Sequence, residues 1–237
     1  MTRLSVNINK VALIRNARGG NLPDLIKVAK DCEQFGGQGI TVHPRPDQRH
    51  VRYDDIGPLK EVVTTEFNIE GNPTDAFLEL VCQHKPDQCT LVPDPPEVLT
   101  SDTGWDTLKH KSFLKEVTER LHQHKIRVSL FLNPELDMVE GTKEIGADRI
   151  ELYTGEYAKL YPINPKAAIQ PFTNAASYAS SLGLGINAGH DLNLDNLHFF
   201  KQEIPQLLEV SIGHALVCDA IYYGLQNVVQ MYLHQLT

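Results

Sequence analysis

Cysteine is scarce in this 237-residue chain, and the four that occur, Cys32, Cys82, Cys89 and Cys218, form no Cys-x-x-Cys pair. That removes the signature of a zinc ribbon or a thioredoxin-like redox centre, and the four read as reduced thiols of the core. Basic residues are outnumbered, with 22 Lys and Arg against 30 Asp and Glu for a formal charge of −8, so the basic stripe that neutralises nucleic-acid phosphates is missing. No run approaches the ~18 consecutive apolar residues of a membrane span. The opening Met1-Thr2-Arg3-Leu4-Ser5-Val6-Asn7 lacks the apolar stretch of a secretory signal, and a cytoplasmic location is expected. Gly/Ser linkers, Pro-rich hinges and shifts in composition are absent too, so a single domain over residues 1–237 is the expected organisation.

What is present is an alternation. Short β-branched and apolar runs occur at Leu4 to Asn9, Gly39 to His43, Glu66 to Glu70, Gln88 to Val92, Arg127 to Phe131, Arg149 to Leu152, Leu184 to Ala188 and Leu208 to Ile212. Amphipathic segments with helix punctuation lie between them. Asn21 to Pro23 leads into Leu25, Val28, Ala29 and Cys32 before Gly36-Gly37. Asn133-Pro134 precedes Leu136 and Val139, and Asn164-Pro165 precedes Ala168, Phe172, Ala175 and Ala179 before Gly183. Eight runs in 237 residues leave about 30 residues per unit, the size of a βαβ crossover. The pattern predicts an α/β protein, a (β/α)8 TIM barrel. An open doubly wound sheet is the rival, but its Gly-x-Gly-x-x-Gly turn does not follow the first run.

A barrel of this kind carries its active site at the carboxyl ends of its strands. The polar residues there are Asn7, Asn9 and Lys10 in the first unit, His43 and Arg45 in the second, Glu70 in the third, Glu151 in the sixth, Asn187 and His190 in the seventh, and Gly213-His214 in the eighth. Histidine as a residue type suits proton exchange at neutral pH, which makes His43 and His190 candidates, and Glu70 and Glu151 could exchange protons if desolvated, so the set describes acid–base chemistry. Each glutamate taken alone also suits an ion pair with an arginine at the barrel rim. Arg18, Arg45, Arg49, His50 and Arg52 follow the first two strands, where guanidinium groups can grip phosphate; Arg49 and Arg52 read better as solvated surface charge. The Gly-His pairs after strands seven and eight suit backbone binding of a phosphate. Metal-dependent hydrolases with a similar barrel mouth carry His-x-His after the first strand; here Asn7-Ile8-Asn9 offers amides, which are poor transition-metal ligands, and no metal is expected.

These residues resemble the pyridoxine 5′-phosphate synthase family over essentially the whole chain. The stretches that carry the resemblance are Val6-Asn7-Ile8-Asn9, Arg15-Asn16-Ala17-Arg18-Gly19, Gly39 to Arg45 through Arg49-His50, Phe67-Asn68-Ile69-Glu70, Leu91-Val92-Pro93, Val128-Ser129-Leu130-Phe131, Ile150 to Gly155, Asn187-Ala188-Gly189-His190 and Ile212-Gly213-His214-Ala215. The resemblance implies condensation of 1-deoxy-D-xylulose 5-phosphate with 3-amino-2-oxopropyl phosphate to pyridoxine 5′-phosphate, phosphate and water, without a metal or organic cofactor. It implies that His43 is an acid–base group, Glu70 a second proton acceptor, His190 a proton donor and Glu151 a stabiliser of the transition state. Asn7, Arg18, Asp191, Gly213 and His214 match positions that hold the aminoketone phosphate, and Arg45, His50 and Thr100 match positions that hold the deoxyxylulose phosphate. Extra helices and a homo-octamer of paired dimers are implied as well, and the segment from Asp94 to Lys111 with Trp105 suits either an extra helix or interface, or an ordinary loop.

The chain departs from the family pattern locally. Asn9-Lys10 stands where many members have Asp-His, and Asp191 stands where a glycine is common, so that a carboxylate beside a phosphate must point away. Two other classes of function stay open on the residues alone: a phosphosugar isomerase or epimerase with one phosphate site, and a phosphosugar-binding protein without turnover.

Overall fold

A computed structural model describes residues 1–94 and 103–237. Eight parallel strands close in chain order: β1 (Arg3–Asn7), β2 (Gly39–Val42), β3 (Glu66–Gly71), β4 (Gln88–Leu91), β5 (Arg127–Leu132), β6 (Arg149–Tyr153), β7 (Gly185–Gly189) and β8 (Leu207–Ile212), with β8 pairing back to β1. The predicted (β/α)8 barrel is therefore the fold. Extra helices are present among the described residues: α1 (Asn9–Asn16) precedes α2 (Leu25–Gln34), α7 (Gly155–Leu160) precedes α8 (Pro165–Ser181), and α11 (Leu225–Gln235) follows α10 (His214–Tyr223). The remaining connections are α3 (Tyr53–Val62), α4 (Asp75–His84), α5 (Lys111–Gln123), α6 (Leu136–Ile145) and α9 (Leu197–Glu203).

The helix starts follow from local chemistry. Asp24 caps α2 by accepting from the Ile26 and Lys27 amides, and Asn164 caps α8 with Pro165 in its first turn, where a missing N–H costs nothing. The first strand is shorter than its apolar run. The Asn7 side chain accepts from the Asn9 amide at 3.1 Å, a local turn that competes with the ladder, and Asn9 becomes the first residue of α1.

Alternate strand residues divide between two environments. Val6, Ile40, Phe67, Ile69, Val128, Leu130, Ile150, Leu152, Ile186 and Val210 are buried against the helices in the main apolar core. The other set points into the barrel and is polar. Ser5 meets Thr41 at 2.7 Å, Asn68 donates to Thr41 at 3.3 Å, and Thr90 reaches Glu151 at 3.2 Å. The Asn187 amide donates to Gln88 at 3.4 Å. The last two contacts join strands that are not neighbours, which only the barrel interior permits. Bulky branched side chains commonly fill this volume in such barrels; here hydroxyls, amides and carboxyls do.

At the amino-terminal end of the strands, Glu66 accepts from Arg3 at 3.1 Å, is ion-paired with Arg127, and lies 3.7 Å from Arg149. Arg127 donates to Gln88 at 3.0 Å. Burial and then the charge of Glu66 push the neighbouring Glu209 carboxyl well above its ordinary value. Three cysteines are core thiols as expected, but Cys218 is exposed on α10, because its helical position faces away from the strands. In the described part of the segment after β4, residues 103–110 are turns and irregular backbone, and the Trp105 indole is buried and donates to the Leu91 carbonyl at 3.0 Å.

The most buried charge outside the barrel is Arg15, whose guanidinium grips Asp55 through paired bonds of 2.7 and 2.8 Å and locks α1 to α3. Asp55 also accepts from the Arg52 amide at 2.7 Å and so starts α3. Asp55→Ala leaves that guanidinium buried without its counter-charge and is expected to cost about 3 kcal/mol, read from urea denaturation; a loss no larger than that of an exposed surface substitution would refute the assignment.

Candidate active site

The carboxyl ends of the strands surround a cavity of about 370 Å³. β1 and the start of α1 contribute Asn7, Asn9 and Lys10, the loop after β2 contributes His43, Arg45 and His50, and β3 and β6 contribute Glu70 and Glu151. His190 and Asp191 follow β7, and Gly213 and His214 follow β8 at the start of α10. Of the twelve residues that the resemblance marks as catalytic or substrate-binding, ten meet in this cavity; Arg18 does not.

 Arg18 lies on the exposed loop between α1 and α2, outside the cavity lining. Thr100 falls outside the described residues.

Glu70 is the anchor of one wall. Its Oε1 accepts from the Asn7 amide at 3.1 Å and the Asn9 amide at 3.4 Å, and His43 Nδ1 lies 3.6 Å away. Burial alone would raise this carboxyl, but hydrogen bonding and charge from His43, the Asn7 amide and the charge of Arg45 outweigh it and hold the pKa below its ordinary value. Asn9 does a second job: its Oδ1 accepts from the His43 backbone amide at 2.8 Å, so one amide side chain fixes both His43 and Glu70. A carboxylate at this position could not donate to Glu70.

Glu151 is placed in the opposite electrostatic situation. Burial, and then the charge of Glu70, push its pKa up to about 8. Gly189 makes room for it, since a Cβ there would stand 2.5 Å from Glu151 Oε1. Two carboxyls thus share one cavity with their proton affinities driven apart, the arrangement that separates a base from an acid.

Arg45 is buried and donates to Asp94 at 3.1 Å. Burial, followed by the charges of Lys10, Arg49, Arg45 and His43, pushes His50 down to about 4, so its imidazole is neutral at pH 7. On the far side, Thr154 Oγ1 donates to the Gly189 carbonyl at 2.9 Å and also contacts the His190 carbonyl, holding a turn in which His190 and Asp191 both take positive φ, 79° and 58°. The Asp191 carboxylate engages His190 Nδ1 at 2.8 Å, and that hydrogen bond holds its pKa below the ordinary range. Gly213 passes so close to Asn7 that a Cβ would lie 3.0 Å from the Asn7 Cβ and carbonyl oxygen.

Val92, Phe131, Leu192 and Ser211 also line the cavity and were not named as site residues in the sequence; Val92 and Phe131 pack with Tyr153, which stands edge-on to His190 at 5.2 Å between ring centroids. Period-two continuation of the inward residues, Ser129 to Phe131 and Glu151 to Tyr153, is the signal that marks Phe131 and Tyr153. Among the described residues, no group of three or more His, Cys, Asp or Glu side chains is arranged to hold a metal ion, and no helix is long and apolar enough to cross a membrane.

The family model described as Pyridoxal phosphate biosynthesis protein PdxJ matches residues 4–237. The chain belongs to this family. It is 61 % identical over 236 residues to the pyridoxine 5′-phosphate synthase of Flavobacterium johnsoniae, covering 100 % of both chains. It is 55 % identical to that of Porphyromonas gingivalis, covering 100 % of this chain and 99 % of the relative. The barrel is also similar to 3-keto-L-gulonate-6-phosphate decarboxylase from Vibrio cholerae, with a TM-score of 0.67 at 10 % identity over 99 % of this chain and 97 % of that one. Thiamine phosphate pyrophosphorylase from Pyrococcus furiosus gives a TM-score of 0.64 at 9 % identity, over 99 % and 95 %. These two likenesses concern the fold alone.

The raised carboxyl has a consequence for stability. Native Glu151 holds its proton up to about pH 8, whereas an ordinary carboxyl releases it near 4.5. The native state therefore binds more protons than the unfolded chain in that window, and stability falls as pH rises through it. Glu151→Gln keeps a neutral group of similar shape, so its urea midpoint is expected to fall less than the parent's across the same window; parallel pH dependences would contradict the raised value.

Proposed function

We propose that the chain condenses 3-amino-2-oxopropyl phosphate with 1-deoxy-D-xylulose 5-phosphate, giving pyridoxine 5′-phosphate, phosphate and water, as a transferase-class ring-closing synthase. The observation that carries this reading is the convergence of His43, Glu70, Glu151 and His190 on one cavity, flanked by Arg45 and His50 on one side and by Gly213 and His214 on the other. An isomerase acting on one substrate needs a base and an acid; a condensation that joins two phosphorylated ketones and then dehydrates moves a proton at each of several steps.

Each group has a task that its surroundings suit. Glu70, kept ionised by the Asn7 amide and His43, accepts a proton from substrate. His43 exchanges protons beside it as the second acid–base group. Glu151, with its raised proton affinity, stabilises charge that develops as the ring closes, and His190, oriented by Asp191, donates a proton to the departing oxygen. The two anions are held apart. Arg45, His50 and Thr100 take the deoxyxylulose phosphate, with His50 acting as a neutral hydrogen-bond partner. Asn7, Asp191, Gly213 and His214 take the aminoketone phosphate, the start of α10 supplying backbone N–H groups, and Arg18, outside the cavity lining, is assigned no contact with it. The carboxylate of Asp191 is committed to His190, which leaves its backbone for the ligand. No metal or organic cofactor enters these steps. Cytoplasmic location and assembly as a homo-octamer belong to the same reading.

The test is to supply both phosphorylated substrates, then each alone, and follow phosphate release and the near-ultraviolet absorbance of a pyridine product. Product with both and with neither alone is expected. His43→Ala and Glu70→Gln should each lower kcat by about 10²- to 10⁴-fold, the usual contribution of one acid–base group, and Arg45→Ala should act mainly on KM for the deoxyxylulose phosphate. Turnover of one substrate alone, untouched by Arg45→Ala, would favour an isomerase, and ligand binding without turnover would favour a binding protein.

A further inference from the structure

Beneath Glu151 the barrel interior holds a line of polar side chains that the reaction as described does not use. Thr90 Oγ1 lies 3.2 Å from Glu151 Oε2 and 3.2 Å from Asn68 Oδ1. Asn68 Nδ2 donates to Thr41 Oγ1 at 3.3 Å, and Thr41 meets Ser5 at 2.7 Å. All of these residues are buried.

Donor counting gives this line a direction. A threonine hydroxyl has one proton, and two acceptors compete for it. The Asn68 amide, anchored through Nδ2 on Thr41, presents only its oxygen to Thr90. If Thr90 gives its proton to Glu151, the Asn68 oxygen is left buried without a donor, which costs free energy. If Thr90 gives it to Asn68, the hydroxyl can only accept from Glu151, and the carboxyl must carry a proton to make that bond.

We propose that Asn68 and Thr90 are positioning residues that keep Glu151 as the neutral carboxylic acid: Glu151 donates to Thr90, Thr90 to Asn68, and Asn68 to Thr41. The proposal deepens the reading of Glu151 as the counterpart of Glu70 and rests on it only for the consequence in catalysis. Glu70 receives the Asn7 and Asn9 amides, whereas among the described residues Glu151 receives no amide, so the two carboxyls are sorted by the donors around them. A neutral Glu151 also adds no negative charge to a cavity that has to accept two phosphate esters. The titratable groups around it are Glu70 from β3, Glu209 below it from β8, and His43 and His190 at the cavity mouth. Its neighbours on β6, Arg149 and Tyr153, lie two residues to either side.

The experiment is an infrared pH titration of the ligand-free protein, following the carboxylic-acid C=O band assigned to Glu151 by its loss in Glu151→Gln. The band is expected at pH 7. Thr90→Val, nearly isosteric, removes the acceptor of the acid's proton, so the titration midpoint is expected to move to lower pH by about one unit, a tenfold loss of proton affinity. Thr90→Ser restores the hydroxyl and should restore the midpoint. Asn68→Leu frees the Thr90 proton for the carboxylate and should move the midpoint in the same direction as Thr90→Val. A midpoint that rises in Thr90→Val would mean that Thr90 donates to a carboxylate, and would overturn the proposal, as would absence of the band from the parent at pH 7. Because the readout needs no substrate, it stands or falls separately from the synthase assay.

Discussion

A closed barrel lined with polar side chains cannot solvate two carboxylates side by side. That constraint governs the mouth of this one. Glu70 and Glu151 project from strands on different sides of one cavity, both are withdrawn from water, and each charge raises the cost of the other. The protein resolves the conflict by unequal provision. Amides of Asn7 and Asn9 and the His43 imidazole surround Glu70, whereas Glu151 meets a hydroxyl and the bare backbone of Gly189. The remaining features of the site, from the early turn after β1 to the close approach of Gly213 to Asn7, set those donors in place.

The same logic recurs at the other end of the strands. Glu66 is surrounded by Arg3, Arg127 and Arg149, and Glu209 beside it is driven toward its neutral form. The interior therefore carries a carboxyl pair at each end, and in each pair one partner is supplied with donors while the other is left to hold its proton. Buried charge of this kind is weak evidence for stability; here it fixes which side chains can occupy the axis of the barrel and in which protonation state.

Much of this was legible in the sequence, for identifiable reasons. Period-two alternation between turn signals located all eight strands to within a few residues, and strand ends carrying His43, Glu70, Glu151 and His190 pointed to one cavity because the fold converges them. Asn9 defied the pattern: its run of apolar neighbours extends the strand, but the Asn7 side chain captures its amide and turns the chain into α1. Arg18 carries phosphate chemistry in its residue type alone, and its place depends on where α1 ends. Ion pairs such as Arg15 with Asp55 and Arg45 with Asp94 join residues 40 and 49 positions apart and leave no periodic trace. Cys218 looked like core because α10 is apolar on most sides, yet it is exposed.

Thr154 ends β6, begins α7 and bonds the carbonyls of Gly189 and His190 across to β7. The imidazole is thereby hung from the first turn of a short helix that belongs to the preceding βα unit, with Tyr153 pressed edge-on against it. The His190 imidazole and the helix form one mechanical piece, so a ligand that shifts α7 also re-aims the imidazole without touching it.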